Sequence, residues 1–139
     1  MMTQYCTFEL GPLLLGVEAR HVQEVLRAQP VTPVPLGPDF VRGLMNLRGQ
    51  IALVVDLHKR LDASGEPSVA RPVNVLLNTR CGLISVQTDR IGDVLTADSE
   101  SIHSVPDTLQ GRAREVLVGA LRLPERLLLL LDPERIAVT

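Results

Sequence analysis

The chain has 139 residues, of which 45% are hydrophobic, and a formal net charge of −2. This length and apolar content can bury the core of one domain or of two small, closely packed halves. Acidic residues slightly outnumber basic ones, and one tyrosine and two phenylalanines are the only aromatic residues, so the chain lacks the charge and stacking platform that nucleic-acid binding requires. The two cysteines are far apart in the sequence, which predicts reduced thiols and a cytoplasmic protein. No apolar run approaches the roughly 18 residues needed to span a bilayer.

The first forty residues predict two strands, a short helix and an extended segment. Two apolar runs, 8–10 and 13–17, are separated by a Gly-Pro pair and predict a strand pair. Residues 18–26 contain neither glycine nor proline and carry apolar residues at helical spacing, which predicts a helix. Four prolines within residues 30–38 favour an extended, turn-rich path.

A tight corner, Asn46-Leu47-Arg48-Gly49, precedes a mostly buried strand predicted at residues 51–57. Gly49 adopts a positive φ at little cost, which lets the chain reverse and aims Arg48 outward. A guanidinium held there suits recognition of a carboxylate or of a partner's backbone. The alternative is a solvated turn arginine that pairs weakly with a nearby acid.

The second half of the chain repeats the strand-rich pattern. Residues 73–77 and 81–86 predict a strand pair joined by a loop at 78–80. Cys81 is interpreted as an inert thiol buried in the second of these strands. Short strands without long crossover helices favour two small barrels over a parallel α/β sheet.

A faint internal duplication organises the chain into one domain over 1–139 with two β-rich units. The offset is 69 for the first matching pair of segments and 76 for the others: 22–26 with 91–95, 43–47 with 119–123, and 51–56 with 127–132. Polar residues, glycine and proline cluster at 62–67, where we place the junction. The approximate halves are therefore 12–66 and 67–139. The alternative is that the N-terminal strand pairs with a strand of the second half.

The duplication also separates structural from functional residues. Asp56 and its counterpart Asp132 both end the long strand, so they are interpreted as capping or turn residues. Arg48 and Gly49 correspond to Pro124 and Glu125. The architecture therefore does not require Arg-Gly at this corner, which favours a functional role for Arg48.

Catalytic and metal-binding patterns do not emerge from the sequence. The three histidines, His21, His58 and His103, have no partner at the spacing of metal ligands. Phosphate-binding loops, dinucleotide-binding glycine motifs and nucleophile elbows are missing as well. We expect no enzyme, no metal and no cofactor.

From about Gln4 to Ile136 the order of motifs resembles a CheW-like domain. The matching motifs are Phe8-x-Leu10-Gly11, Gly16-Val17, Val22-Gln23-Glu24-Val25, Val31-Thr32-x-Val34-Pro35, Pro38-x-Phe40-Val41-x-Gly43, Asn46-Leu47-Arg48-Gly49, Val55-Asp56-Leu57 and Asp89-x-Ile91-x-Asp93-Val94-Leu95. The resemblance implies a mostly β fold of two tandem, intertwined five-stranded SH3-like β-barrels with short helices. Leu15, Thr88 and Arg90 depart from the usual pattern and leave the partner's identity open.

The resemblance also implies a function. CheW-like proteins are cytoplasmic adaptors that couple the cytoplasmic tips of chemoreceptors (methyl-accepting chemotaxis proteins) to the regulatory domain of the histidine kinase CheA, in signalling arrays or rings. We therefore expect a bacterial two-component scaffold that lies beside receptor arrays, without nucleic-acid binding or membrane insertion. The alternatives are a scaffold of a motility or developmental chemosensory system, and a small barrel that binds a ligand or nucleic acid.

Motif by motif, the resemblance also implies site residues. The receptor-binding positions are Val22, Glu24, Arg48, Gly49 and Val73, and the structural turn positions are Gly43, Asn46 and Asp56. Together the first set is expected to line a groove that takes a receptor helix. On an ideal helix Val22 and Glu24 point about 200° apart, so either the helix ends there or Glu24 supports Arg48.

Overall fold

The structure, a computed structural model, describes residues 1–27, 29–35, 37–62 and 72–137. These residues form ten strands and three short α-helices, and the predicted mostly β fold is confirmed. The elements are β1 (Met2–Leu10), β2 (Leu13–Glu18), β3 (Val22–Arg27), β4 (Val41–Leu47), β5 (Gln50–Asp56), α1 (Leu57–Arg60), β6 (Val73–Thr79), β7 (Gly82–Thr88), β8 (Arg90–Asp98), α2 (Arg112–Val116), β9 (Leu117–Arg122), β10 (Leu127–Leu131) and α3 (Pro133–Ile136).

The strands of the described residues make two five-stranded sheets that exchange hairpins. Barrel 1 has the order β3-β6-β7-β5-β4, and barrel 2 has the order β8-β1-β2-β10-β9. The predicted halves 12–66 and 67–139 do not coincide with the barrels, because β2 lies in barrel 2 while β6 and β7 lie in barrel 1. β1 pairs with β8 over most of its length. The predicted junction at 62–67 lies outside the described residues beyond Asp62.

The internal duplication holds in three dimensions. Each strand of barrel 1 has a counterpart at the same place in barrel 2: β3 with β8, β6 with β1, β7 with β2, β5 with β10 and β4 with β9. Asp56 and Asp132 begin α1 and α3, where their side chains accept backbone N–H groups of Lys59 and Glu134 at 3.4 and 3.0 Å. Such N-caps satisfy amide groups that a helix leaves without partners.

The core has a shared layer between the barrels and a smaller interior within each barrel. The shared core draws on both barrels and includes Phe8, Leu15, Val55, Val86 and Leu129. The interior of barrel 1 is Met45, Ala52, Val54 and Leu76, and that of barrel 2 is Tyr5, Leu14, Leu121, Leu128 and Leu130. Side chains alternate between the two layers along a strand because successive residues point to opposite faces.

Two local predictions are wrong. Residues 18–26 do not form a helix, because a 3-10 turn at Ala19–His21 leads directly into β3, which pairs with β6. Burial along β3 alternates with a period of two, so cross-strand packing outweighs the helical spacing seen in the sequence. Cys81 is exposed and lies in the turn before β7, not inside a strand.

Candidate functional site

A two-residue turn joins β4 to β5 and carries the arginine singled out in the sequence. Arg48 has φ 52° and Gly49 has φ 85°, between the paired residues Leu47 and Gln50. Positive φ at both central positions is typical of a type I′ hairpin turn, which favours Asn or Gly at the first of them. Asn46 stabilises the turn through its Oδ1, which accepts the N–H of Gly49 at 3.1 Å. An arginine at this position adopts a backbone conformation that costs about 1 kcal/mol.

The side chains around this turn bind the hairpin to β3. Nη2 of Arg48 pairs with Oε1 of Glu24, and Nε2 of Gln23 donates to Oε1 of Gln50 at 2.9 Å. β3 and β4 are the outermost strands of the sheet, so these contacts close barrel 1 at the hairpin end. The Arg48 side chain remains 69% exposed, and its remaining N–H donors can reach a partner.

A bulge in β3 determines where Val22 and Glu24 point. Val22 pairs with Leu77 and Glu24 with Leu76, so Gln23 is the extra residue of the bulge. Val22 packs against the shared core, whereas Glu24 reaches Arg48. Val22 and Glu24 thus lie on a bulged strand and not on a helix, and the side chain of Glu24 supports that of Arg48.

Two of the other positions lie elsewhere. Val73 begins β6 opposite Arg27, three residues from Leu76, the partner of Glu24. At about 3.3 Å per residue this separates it by about 10 Å along the strand, so the structure does not bring Val73 to Arg48. Gly43 lies at a bulge within β4 and not in the turn.

The bulge at Gly43 has its own physical reason. Its φ is 146°, and a Cβ there would lie 2.0 Å from the carbonyl oxygen of Thr32. The missing side chain lets Thr32 pair with Leu44 through two backbone hydrogen bonds of 2.8 Å. Gly43 therefore helps to close barrel 1.

We call Gln23, Glu24, Arg48, Gly49 and Gln50 the hairpin surface. The next residues of the two strands, Val25 and Ile51, are exposed and apolar, but they point to the opposite face of the sheet from Glu24 and Gln50. Val25 is 41% and Ile51 54% exposed. The hairpin surface is therefore polar, like the rim of a protein-docking surface, and the two apolar side chains lie on the adjoining outer face of the same strands.

Sequence reasoning missed two polar clusters that join the barrels. His58 and Asp89 form a buried pair with Nε2 and Oδ1 2.9 Å apart, and the other Asp89 oxygen accepts the N–H of Gly11 at 2.7 Å. Arg60 is 2% exposed and binds Ile136 at the end of α3. His58 and Arg60 lie in the polar run 58–60, which directly follows the strand predicted at 51–57 and where exposed side chains are the ordinary expectation. The signal that could have found them is the Asp56 cap, which turns this run back onto the protein.

The family model of the CheW-like domain matches residues 4–139. The chain belongs to the CheW-like domain family. Two relatives with 32% identity are both named chemotaxis protein CheW. The one from Treponema pallidum aligns over 93% of this chain and 78% of its own length, and the one from Klebsiella aerogenes over 96% and 80%.

The CheW-like fold is confirmed by a solved structure as well. The scaffolding protein TtCheW from Thermoanaerobacter tengcongensis superposes with a TM-score of 0.89 at 22% identity, covering 100% of this chain and 94% of its own. Among the described residues, no helix is both long and apolar enough to cross a membrane.

Proposed function

We propose that this CheW-like protein is a non-catalytic adaptor of chemotaxis signalling that couples chemoreceptor tips to the histidine kinase CheA. Family membership and the names of its relatives support the adaptor role. The observation that carries the receptor-binding part is the arginine in the β4–β5 turn. The receptor tip docks on the hairpin surface, and the kinase regulatory domain binds elsewhere on the protein.

The turn does not need Arg48. Asparagine or glycine fits a left-handed position better than arginine, and the counterpart hairpin of barrel 2 closes differently. There the loop between β9 and β10 is held by a hydrogen bond of 2.9 Å from the N–H of Leu123 to the carbonyl oxygen of Arg126. Backbone strain that the fold does not require is common at functional sites.

Glu24 gives the guanidinium a defined direction without burying it. The arginine side chain is 69% and the glutamate side chain 27% exposed, so water screens the pair and it adds at most about 1 kcal/mol to stability. An arginine held in one orientation loses less side-chain entropy when it binds a partner. Val25 and Ile51, on the outer face of the same two strands, are exposed apolar side chains that a receptor helix reaching round the strand ends can bury.

The test is Arg48→Asn, which removes the guanidinium and gives the turn a residue that it favours. We expect a receptor-tip fragment to bind at least about tenfold more weakly, or about 1.4 kcal/mol, with an unchanged or higher Tm. Isothermal titration calorimetry measures the binding, and thermal unfolding measures the stability.

The matched control is Arg122→Asn. Arg122 is exposed on β9, and its counterpart in barrel 1 is Asn46, so the substitution changes the net charge equally and suits the fold. This variant should bind the tip like the wild type. Wild-type affinity in Arg48→Asn would remove the hairpin surface from the receptor interface.

A further inference from the structure

Barrel 2 contains a cavity of about 200 Å³ next to the 3-10 turn that leads into β3. Its polar lining comes from Tyr5, Glu18, Arg20, His21 and Asp132, and its apolar lining includes Val118 and Leu130. The cavity lies apart from the hairpin surface, on residues to which the adaptor role assigns no task.

The hydroxyl group of Tyr5 is buried here without a hydrogen bond. Tyr5 is 2% exposed, and its hydroxyl has no partner of normal geometry among the described residues. Burial, and then the charge of Glu18, raises the pKa of Tyr5 above its usual value, and an interaction with Thr3 opposes this rise. A buried hydroxyl group without a partner is costly, so a ligand that hydrogen-bonds to it is favoured.

The duplication supplies an internal control for this hydroxyl. The residue at the corresponding position of barrel 1 is Asn74, which is 1% exposed. Its Nδ2 donates to the carbonyl oxygen of Arg27 at 3.2 Å, and its Oδ1 accepts the hydroxyl of Ser85 at 3.1 Å. Barrel 1 therefore satisfies its buried polar group internally, whereas the hydroxyl group of Tyr5 is buried beside the cavity without a partner of normal geometry among the described residues.

The charge around the cavity favours a cation. Glu18 lies directly opposite Tyr5 in the β1–β2 pair, and its contacts with Arg20 and His21 both use Oε2. Its Oε1 therefore remains able to accept a further hydrogen bond. Arg20 is 74% exposed, compared with 35% for Glu18, so water screens the cation more than the carboxylate.

Asp132 adds a second carboxylate to the lining. One of its oxygens caps α3, and the other lies 3.3 Å from Nε of Arg135. Asp132 is 28% exposed and Arg135 55%, so this cation is also on the outer side of its pair. Arg135 does not line the cavity but Arg20 does, so the lining has two carboxylates and one guanidinium and carries more negative than positive charge.

We propose that this cavity binds a small primary alkylammonium ion, a function beyond the proposed adaptor role. The ammonium group donates hydrogen bonds to the Tyr5 hydroxyl and to Oε1 of Glu18. The alkyl chain packs on Val118 and Leu130. An anion is repelled by both carboxylates, and an alcohol lacks the charge that they attract.

The test uses n-butylammonium chloride, with sodium butyrate and 1-butanol as probes of similar size. The chain has one tyrosine and no tryptophan, so tyrosine fluorescence reports on the cavity alone. We expect a saturable change with butylammonium in the millimolar range, as its few atoms allow. Butanol should bind at least about tenfold more weakly, and butyrate should give no saturable change.

Variants separate this site from nonspecific amine binding, with amide shifts of Val118 and Asp132 in NMR spectra as the measurement. Glu18→Gln and Tyr5→Phe should each weaken butylammonium binding about tenfold, whereas the exposed loop variant Glu125→Gln should bind like the wild type. Tyr5→Phe removes only an unpartnered hydroxyl, so its Tm should not fall. Absence of saturation, an equal response to butanol, or wild-type affinity in Glu18→Gln would overturn the proposal.

Discussion

Replacing Arg60 by methionine tests how the two barrels are held together. Nε of Arg60 donates to the carbonyl oxygen of Ile136 at 2.6 Å, and Nη2 to that of Arg135 at 3.1 Å. Nη1 binds Glu115 at 2.9 Å, and the guanidinium lies 4.7 Å from the ring centre of Phe40. Arg60 thus binds the C-terminal carbonyls of α3, a favourable place for a cation.

The size of the effect follows from these contacts. A buried carbonyl left without a donor costs about 1–3 kcal/mol, and methionine leaves two, of which that of Arg135 is only partly buried. The lost cation–π contact adds about 1 kcal/mol. Glu115 is 59% exposed, so water solvates its carboxylate when the arginine is removed. The variant also no longer has to bury a charged guanidinium, which offsets part of the lost stability.

We therefore expect Arg60→Met to lower the free energy of unfolding by about 3 kcal/mol. For a chain of this length that corresponds to a fall in Tm of about 10 °C. Methionine has room there, because the counterpart of Arg60 in barrel 2 is the buried Ile136. Urea unfolding monitored by circular dichroism measures the change.

The control is Arg42→Met. Arg42 is 53% exposed and lies 3.4 Å from Asp56, so its loss should cost less than about 1 kcal/mol. If Arg60→Met is as stable as Arg42→Met, the buried guanidinium does not join the barrels as its contacts indicate.

Two further predictions concern the closure of barrel 1 and the titration of the single tyrosine. Gly43→Ala should lower the free energy of unfolding by more than about 2 kcal/mol and expose the Leu44 amide to hydrogen exchange, because the new Cβ meets the Thr32 carbonyl oxygen at 2.0 Å. In the control Gly49→Ala the new Cβ meets no atom, so this substitution should cost about 1 kcal/mol. Equal losses of stability in the two variants would contradict the role given to the bulge. Burial, and then the charge of Glu18, raises the pKa of Tyr5 above its usual value near 10. The stability that the neutral tyrosine contributes to the fold is therefore present below pH about 10 and is lost as the pH rises through the folded-state pKa. The phenolate absorbance of the folded protein should therefore appear above pH about 10, and Glu18→Gln should lower that midpoint; a midpoint at or below 10 would contradict the burial of this hydroxyl.

The fold could be predicted largely from the sequence because the two barrels repeat one pattern. The matches between 43–56 and 119–132 became β4–β5 and β9–β10, each followed by a capped helix. The residues alone offered the crossing of the N-terminal strand only as an alternative, and the resemblance implied that the barrels intertwine. Which hairpins are exchanged could not be predicted, because the choice of strand partner depends on tertiary packing. Residues 18–26 were misassigned for the same reason: their spacing suits a helix, but pairing with β6 determines β3.

The candidate site was partly visible in the sequence. The comparison of the two corners singled out Arg48, and its positive φ adds a physical cost that the sequence could not show. The separation of Val73 from Arg48 depends on strand register, which a one-residue bulge at Gln23 changes. The role of Gly43 depends on the approach of the Thr32 carbonyl, which the sequence does not place beside it. The feature that marks the cavity is a Tyr5 hydroxyl group without the hydrogen-bond partners that its counterpart Asn74 has, and these depend on tertiary structure.

The most direct test of the adaptor function is co-sedimentation of a receptor-tip fragment with the CheA regulatory domain. With the wild-type protein we expect all three components in one complex. With Arg48→Asn we expect the kinase domain to remain bound to the protein while the receptor tip is lost. Sedimentation of the tip with Arg48→Asn at the wild-type level, or of tip and kinase together without the protein, would contradict the coupling role.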